Sequence, residues 1–127
     1  MKTFTLLLGF IFSLSFSVLG QLSGPEITFE KTIHDFGSMK QHTPTTYEFK
    51  FTNTGNAPLI ISNAEGTCGC TIPTWPQHPI APGASAVIVV KYDSKRVGPF
   101  KKSVKITSNA SSSPNIELRI QGTIIAQ

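Results

Sequence analysis

Acidic residues are scarce in this chain, seven in all, and they are scattered. No two of them stand at a spacing that pairs a general acid with a general base. There is no Gly-x-Ser-x-Gly elbow, no phosphate-cradling glycine loop and no zinc-hydrolase helix. With those signatures missing, the sequence reads as a non-catalytic protein that needs no cofactor. Beyond residue 20 no stretch sustains an apolar period of 3.6 residues, so helices are not expected there. Nor is there an internal repeat or a second domain. Cysteine occurs twice and tryptophan once. The basic excess is mild and forms no dense stripe, which excludes a nucleic-acid footprint while leaving room for weak attraction to anionic glycans or an envelope surface.

The one long hydrophobic run is at the start, "MKTFTLLLGFIFSLSFSVLG". Lys2 gives it a positive beginning, Phe4 to Leu19 is almost entirely apolar, and Val18-Leu19-Gly20 supplies a tolerated cleavage site. That three-part pattern is a secretory signal peptide. At 16 residues the run is short of the roughly 20 that a membrane span requires. Gln21 stands where a lipoprotein would carry cysteine, so no lipid can be attached and no stable membrane insertion follows cleavage. The expectation is an unlipidated protein in the periplasm or outside the cell. Removing residues 1–20 leaves 107, and ten basic residues then face seven acidic ones for a net of +3. A chain of that length buries one adequate core without staples.

Period-2 alternation is what the rest of the chain offers. Tyr47, Phe49 and Phe51 oppose Glu48, Lys50 and Thr52. Phe100, Val104 and Ile106 oppose Lys101, Ser103 and Lys105, while Ile116, Leu118, Ile120 and Ile124 oppose Glu117, Arg119 and Gln121. "ITFEK" and "PLIISNAE" are shorter strands, and "SAVIVVKYD" is apolar on both faces, as befits a central strand or a covered edge. Turn chemistry separates these runs at Asn53 to Asn56, Pro79 to Gly83, Asp93 to Pro99 and Ser108 to Asn115. The pattern is that of a small all-β sandwich with Phe49, Phe51, Val104, Ile106, Leu118 and Ile120 in its core.

Within this frame the residues that carry the most chemistry are Cys68 and Cys70, one glycine apart. In an extended strand they would point to one face with α-carbons roughly 6.5 Å apart, near the upper limit for a disulfide. A bridge requires the backbone to tighten, which Gly69 permits. Two thiolates on one face also suit a soft ion, and His78 lies eight residues on, but no recognised ligand spacing includes it. Thiol–disulfide exchange is the third reading, although the usual redox pair sits at a helix start with two residues between. Structural bridge, metal clamp and redox pair all stay open.

Trp75, between Pro73 and Pro76, is either a lid on the core or a semi-rigid anchor for a partner. Lys91, Lys95, Arg96, Lys101, Lys102 and Lys105 cluster along one hairpin and read as a solvated, aggregation-resistant edge. Asp35, before Phe36-Gly37, reads as a turn residue. His34, His42 and His78 read as surface or satisfied histidines.

"FTNTGNAPLIISNAEGTCGCTIPTWPQHPIAPG", "VKYDSKRVGPFKKSVKITSNA" and "LRIQGTI", in that order, closely resemble the bacterial domain-of-unknown-function family DUF1573 from about Ile27 to Ile125. The resemblance implies an exported bacterial domain with an immunoglobulin-like antiparallel β-sandwich fold, and it implies no established activity. A binding or structural module for an unknown protein or glycan partner of the cell envelope is the expectation, with a soft-metal or thiol redox protein as the alternative. The chain departs from the family pattern at Gln41-His42-Thr43-Pro44, where a glycine-containing turn is usual, and at Ser85-Ala86, where a glycine is common.

Overall fold

A computed structural model describes residues 24–127. The leader read at residues 1–20 lies outside the described residues. The described residues form eight strands: β1 (Ile27–Phe29), β2 (Ile33–Lys40), β3 (Thr45–Asn53), β4 (Ile61–Gly66), β5 (Thr71–Thr74), β6 (Ser85–Tyr92), β7 (Gly98–Ser108) and β8 (Asn115–Ile125). No helix occurs among the described residues. The strands form two four-stranded sheets, the first in the order β1-β3-β6-β5 and the second in the order β2-β8-β7-β4.

Alternation decides which side chains meet. Phe49 and Phe51 of β3 and Ile88 and Val90 of β6 point inward from the first sheet. Val104 and Ile106 of β7 and Leu118, Ile120 and Ile124 of β8 point inward from the second. All are essentially closed to solvent and join one core cluster. Each such side chain contributes about 1.5–3 kcal/mol by leaving water. The expected core residues are therefore where the alternation placed them. Val87 and Val89 lie on the outer face of β6, a central strand, and are half-buried beside Lys50 and Glu48 of β3. The stems of those neighbours shelter them.

Three expectations need correction. β2 pairs with β8 in parallel, so the second sheet is mixed and not antiparallel throughout. Asp35 is not in a free turn but inside β2, at a register shift between Asp35 and Ser38. Its Oδ1 accepts the Gly37 amide at 2.8 Å, and Gly37 takes a φ of 66°, so a turn-like kink is built into the strand. The third correction concerns the cysteines, which lie in a turn between β4 and β5 rather than in an extended strand.

One end of the domain is organised by Asn53, fully closed to solvent. Its Oδ1 accepts the amides of Glu26 at 3.3 Å and Gly55 at 3.0 Å, and its Nδ2 donates to the carbonyls of Ala57 at 2.8 Å and Ile80 at 2.9 Å. Gly55 is required there because a Cβ would run into the Gly24 carbonyl oxygen and the Glu26 amide. The nearby Glu26 carboxylate accepts the Ser112 amide at 3.0 Å and hydroxyl at 2.8 Å.

Candidate functional site

The opposite end gathers the turns β2–β3, β4–β5 and β6–β7 and the last residues of β8. The chain passes from β4 in the second sheet to β5 in the first through Thr67-Cys68-Gly69-Cys70. This crossing is tied to both sheets. The Thr67 amide donates to the Ser103 carbonyl of β7 at 3.0 Å, and the Cys70 carbonyl accepts the Asp93 amide just beyond β6 at 2.8 Å. Gly66 closes the approach, since a Cβ on it would run into the Thr71 carbonyl oxygen.

The sulfurs of Cys68 and Cys70 lie at disulfide distance, with α-carbons 5.2 Å apart. The turn supplies the tightening that an extended strand would not. Thr71 donates its amide to the Cys68 carbonyl at 3.2 Å, and its hydroxyl sits 3.8 Å from each sulfur. Cys70 is in the core at 1% exposure, whereas Cys68 is half-buried against it. His78 is exposed. Among the described residues no group of three or more His, Cys, Asp or Glu side chains comes together to hold a metal ion. Trp75 is half-buried and packs on the core cluster.

Beside the cysteine turn opens a groove of about 380 Å³, lined by His42, Gly69, Ile72, Lys91, Tyr92 and Lys95, with Asp93 at its wall. Gly69 leaves its side open, for a Cβ there would meet nothing within 4 Å. Ile72, on the edge strand β5, is 54% exposed. Its register partner across the sheet is Lys91, which in turn faces Thr46. Tyr92 forms the floor, 4% exposed, with its ring stacked on Phe100 at a centroid distance of 3.8 Å. Burial raises the Tyr92 pKa, Arg96 opposes that rise and Asp93 adds to it.

Loop-to-loop hydrogen bonds hold the rim. The His42 amide donates to the Ser94 carbonyl at 3.2 Å, the Gln41 side-chain amide to the Lys95 carbonyl at 2.9 Å, and the Gln41 backbone amide to the Ile125 carbonyl at 2.8 Å. His42 has a φ of 68°, in the left-handed region that favours glycine, at the turn where the sequence departs from the family pattern. Asp93 turns its Oδ1 to the Lys95 amide at 3.1 Å. The ion pairs among the described residues are Lys50–Glu30 at 3.6 Å and Arg119–Glu117 at 4.0 Å, and neither involves the groove.

The basic cluster read in the sequence as one edge hairpin is neither an edge nor a hairpin, since β6 and β7 lie in different sheets and each has a strand on both sides. Lys91, Lys95 and Arg96 belong to the groove end. Lys101 and Lys105 point outward from β7, and Lys102 is half-buried opposite Ile120. His34 is elsewhere, its ring stacked 3.7 Å from that of Tyr47 and edge-on to Phe36 at 4.6 Å. Burial and Lys31 lower its pKa, against the pull of Asp35. Ile72 is the groove residue that sequence reasoning missed. A proline two residues into so short a strand hides the alternation, and here threonine is buried while isoleucine faces solvent.

This arrangement places the protein among all-β domains of two sheets with immunoglobulin-like and PapD-like neighbours. A protein of unknown function from Porphyromonas gingivalis superposes with a TM-score of 0.71 at 16% identity, over 86% of this chain and 51% of its own. This chain thus spans about half of that protein. The ASH/PapD-like domain 7 of human CEP192 gives 0.64 at 8% identity, over 80% of this chain and 87% of that one. The secreted serine protease VesC of Vibrio cholerae gives 0.59 at 16% identity, over 78% of this chain and 23% of that one. At these identities the likeness is one of fold. No curated protein sequence matches the chain. The model of the family "Protein of unknown function (DUF1573)" matches residues 27–124, and the chain belongs to that family.

Proposed function

We propose that this protein is an exported immunoglobulin-like β-sandwich that serves the bacterial cell envelope as a non-catalytic binding or structural module. The observation that carries the reading is the groove beside the cysteine turn, with Ile72, 54% exposed, in its lining. Val97 and Ile125 are exposed at the same end, while the exposed Ile33 and Ile60 lie elsewhere. An exposed aliphatic side chain in a recess is a feature of surfaces that meet partners. The leader pattern supports export, and Gln21 after Gly20 supports a mature chain without lipid. The cysteine crossing fits the same role as a bridged turn that keeps the rim in place, which is a structural use of the pair.

The test uses the native host. Intact mass of the recovered protein should correspond to a chain beginning at or close to Gln21 with no acyl group. A photoreactive side chain in place of Ile72 should then capture a partner of defined mass in living cells, and one in place of Ser113, in the loop at the other end, should not. Retention of residues 1–20 on the mature protein, or equal capture from both positions, would defeat the proposal.

A further inference from the structure

The described residues carry ten basic and seven acidic side chains, a net of +3. Lys40, Lys91, Lys95 and Arg96 belong to the groove end, and Asp93 is the acid that accompanies them. Lys40 is there because it pairs with Ile125 at the last position of β8. The rest of the domain is balanced, six basic residues against six acidic ones. The whole excess charge therefore sits at one end, the end that exposes Ile72, Val97 and Ile125. None of these four cations takes part in an ion pair among the described residues.

From this juxtaposition we infer that the groove docks an extended acidic segment of a partner polypeptide. An aliphatic side chain of that segment would rest on Ile72, and flanking carboxylates would meet Lys91 and Lys95. The inference deepens the binding-module reading and rests on it. Charge complementarity sets the sign of the ligand, because unpaired lysines beside an acid already held by a backbone amide attract carboxylates. Shape separates a polypeptide from a bilayer: Ile72, Lys91 and Lys95 line a recess, which a narrow chain can enter and a flat lipid surface cannot. Side-chain type separates it from a glycan. Sugar rings dock on exposed indole, phenol or phenyl faces, and the phenol ring of this groove, Tyr92, is 4% exposed and already stacked on Phe100, which leaves the small His42 imidazole as its exposed ring.

The test is amide-resolved NMR of the purified domain with a blocked octapeptide of alternating glutamate and leucine. An alternating lysine and leucine octapeptide serves as control, and vesicles of phosphatidylglycerol and phosphatidylethanolamine as the competing surface. The acidic peptide should shift the amides of His42, Gly69, Ile72, Lys91 and Lys95, and binding should weaken as salt is raised. The double variant Lys91→Glu/Lys95→Glu should weaken it about tenfold, while Lys101→Glu/Lys105→Glu changes it by less than about twofold. All four side chains are on the outer surface, and thermal melts confirm that each variant is folded. Shifts centred on Lys101 and Lys105, equal binding of the basic peptide, or vesicle binding without peptide binding would overturn the inference. A partner captured from Ile72 in cells together with a silent acidic peptide would leave the binding-module reading standing and remove this one.

Discussion

Replacing Asn53 with alanine removes the four hydrogen bonds that organise the end of the domain opposite the groove. The bonds to the Gly55 amide and the Ala57 carbonyl are only part-buried, so water can replace the lost amide group. Those to the Glu26 amide and the Ile80 carbonyl are buried, and there water cannot follow without opening the core. An orphaned buried polar group costs about 1–3 kcal/mol. The 3.3 Å bond to Glu26 belongs at the lower end of that range and the 2.9 Å bond to Ile80 nearer its middle. Asn53→Ala should therefore destabilise by about 3–4 kcal/mol, a large part of the roughly 5–15 kcal/mol that holds a domain together. In urea, where the slope is about 1–3 kcal/mol per molar, the unfolding midpoint should fall by about 1–4 M. Asn53→Asp separates the two halves of the network, since it keeps the accepting oxygen and loses the donor to Ala57 and Ile80. It should remain strongly destabilised, and more so at neutral pH than in mild acid, because ionisation puts a charge in the core. A midpoint shift below about 0.5 M for Asn53→Ala would mean that the orphaned groups find water after all, and the reasoning would fail.

Replacing both Cys68 and Cys70 by serine should cost only about 2 kcal/mol, because a ring closed across one intervening residue constrains the unfolded chain little. Far-ultraviolet circular dichroism and a urea melt check this, and a variant that cannot fold would show that the bridge matters far more than its ring size implies. His34 has a folded-state pKa below its unfolded value, so the folded form binds fewer protons and its contribution is intact above about pH 6.5 and lost as pH falls through the folded value. The urea midpoint should drop between about pH 7.5 and about pH 5.5, and drop less in His34→Phe. An acid-induced drop of the same size in that variant would assign it to other groups.

The strands that were legible in the sequence are those whose inner face is mostly apolar. β3, β7 and β8 keep period-2 alternation over most of their length, with Asn53 and Lys102 among the polar exceptions. β2 escaped because the kink at Gly37 breaks its alternation between Asp35 and Ser38. β5 escaped because Pro73 argues against a strand and Ile72 faces the wrong way for a core residue. The cysteine spacing allows a bridge but does not show its setting, because the chain crosses there between sheets with α-carbons 5.2 Å apart. The groove left no linear trace at all. Its walls come from His42, Gly69, Ile72 and Lys91 to Lys95, which only the pairing of β6 with both β3 and β5 brings together.

The parallel pairing of β2 with β8 has a mechanical consequence. Gly24 to Glu26 enter β1 at the Asn53 end, and Ala126 and Gln127 follow β8 at the groove end. Traction between these two ends pulls β2 and β8 in opposite directions along their common axis. Their six paired positions are then loaded in shear and must yield together, whereas a hairpin pulled from its open end unzips one pair at a time. The three pairs of β1 with β3 stand in series before this clamp. A domain wired in this way resists being drawn apart from its ends, and the β2–β8 seam is where that tension would pass.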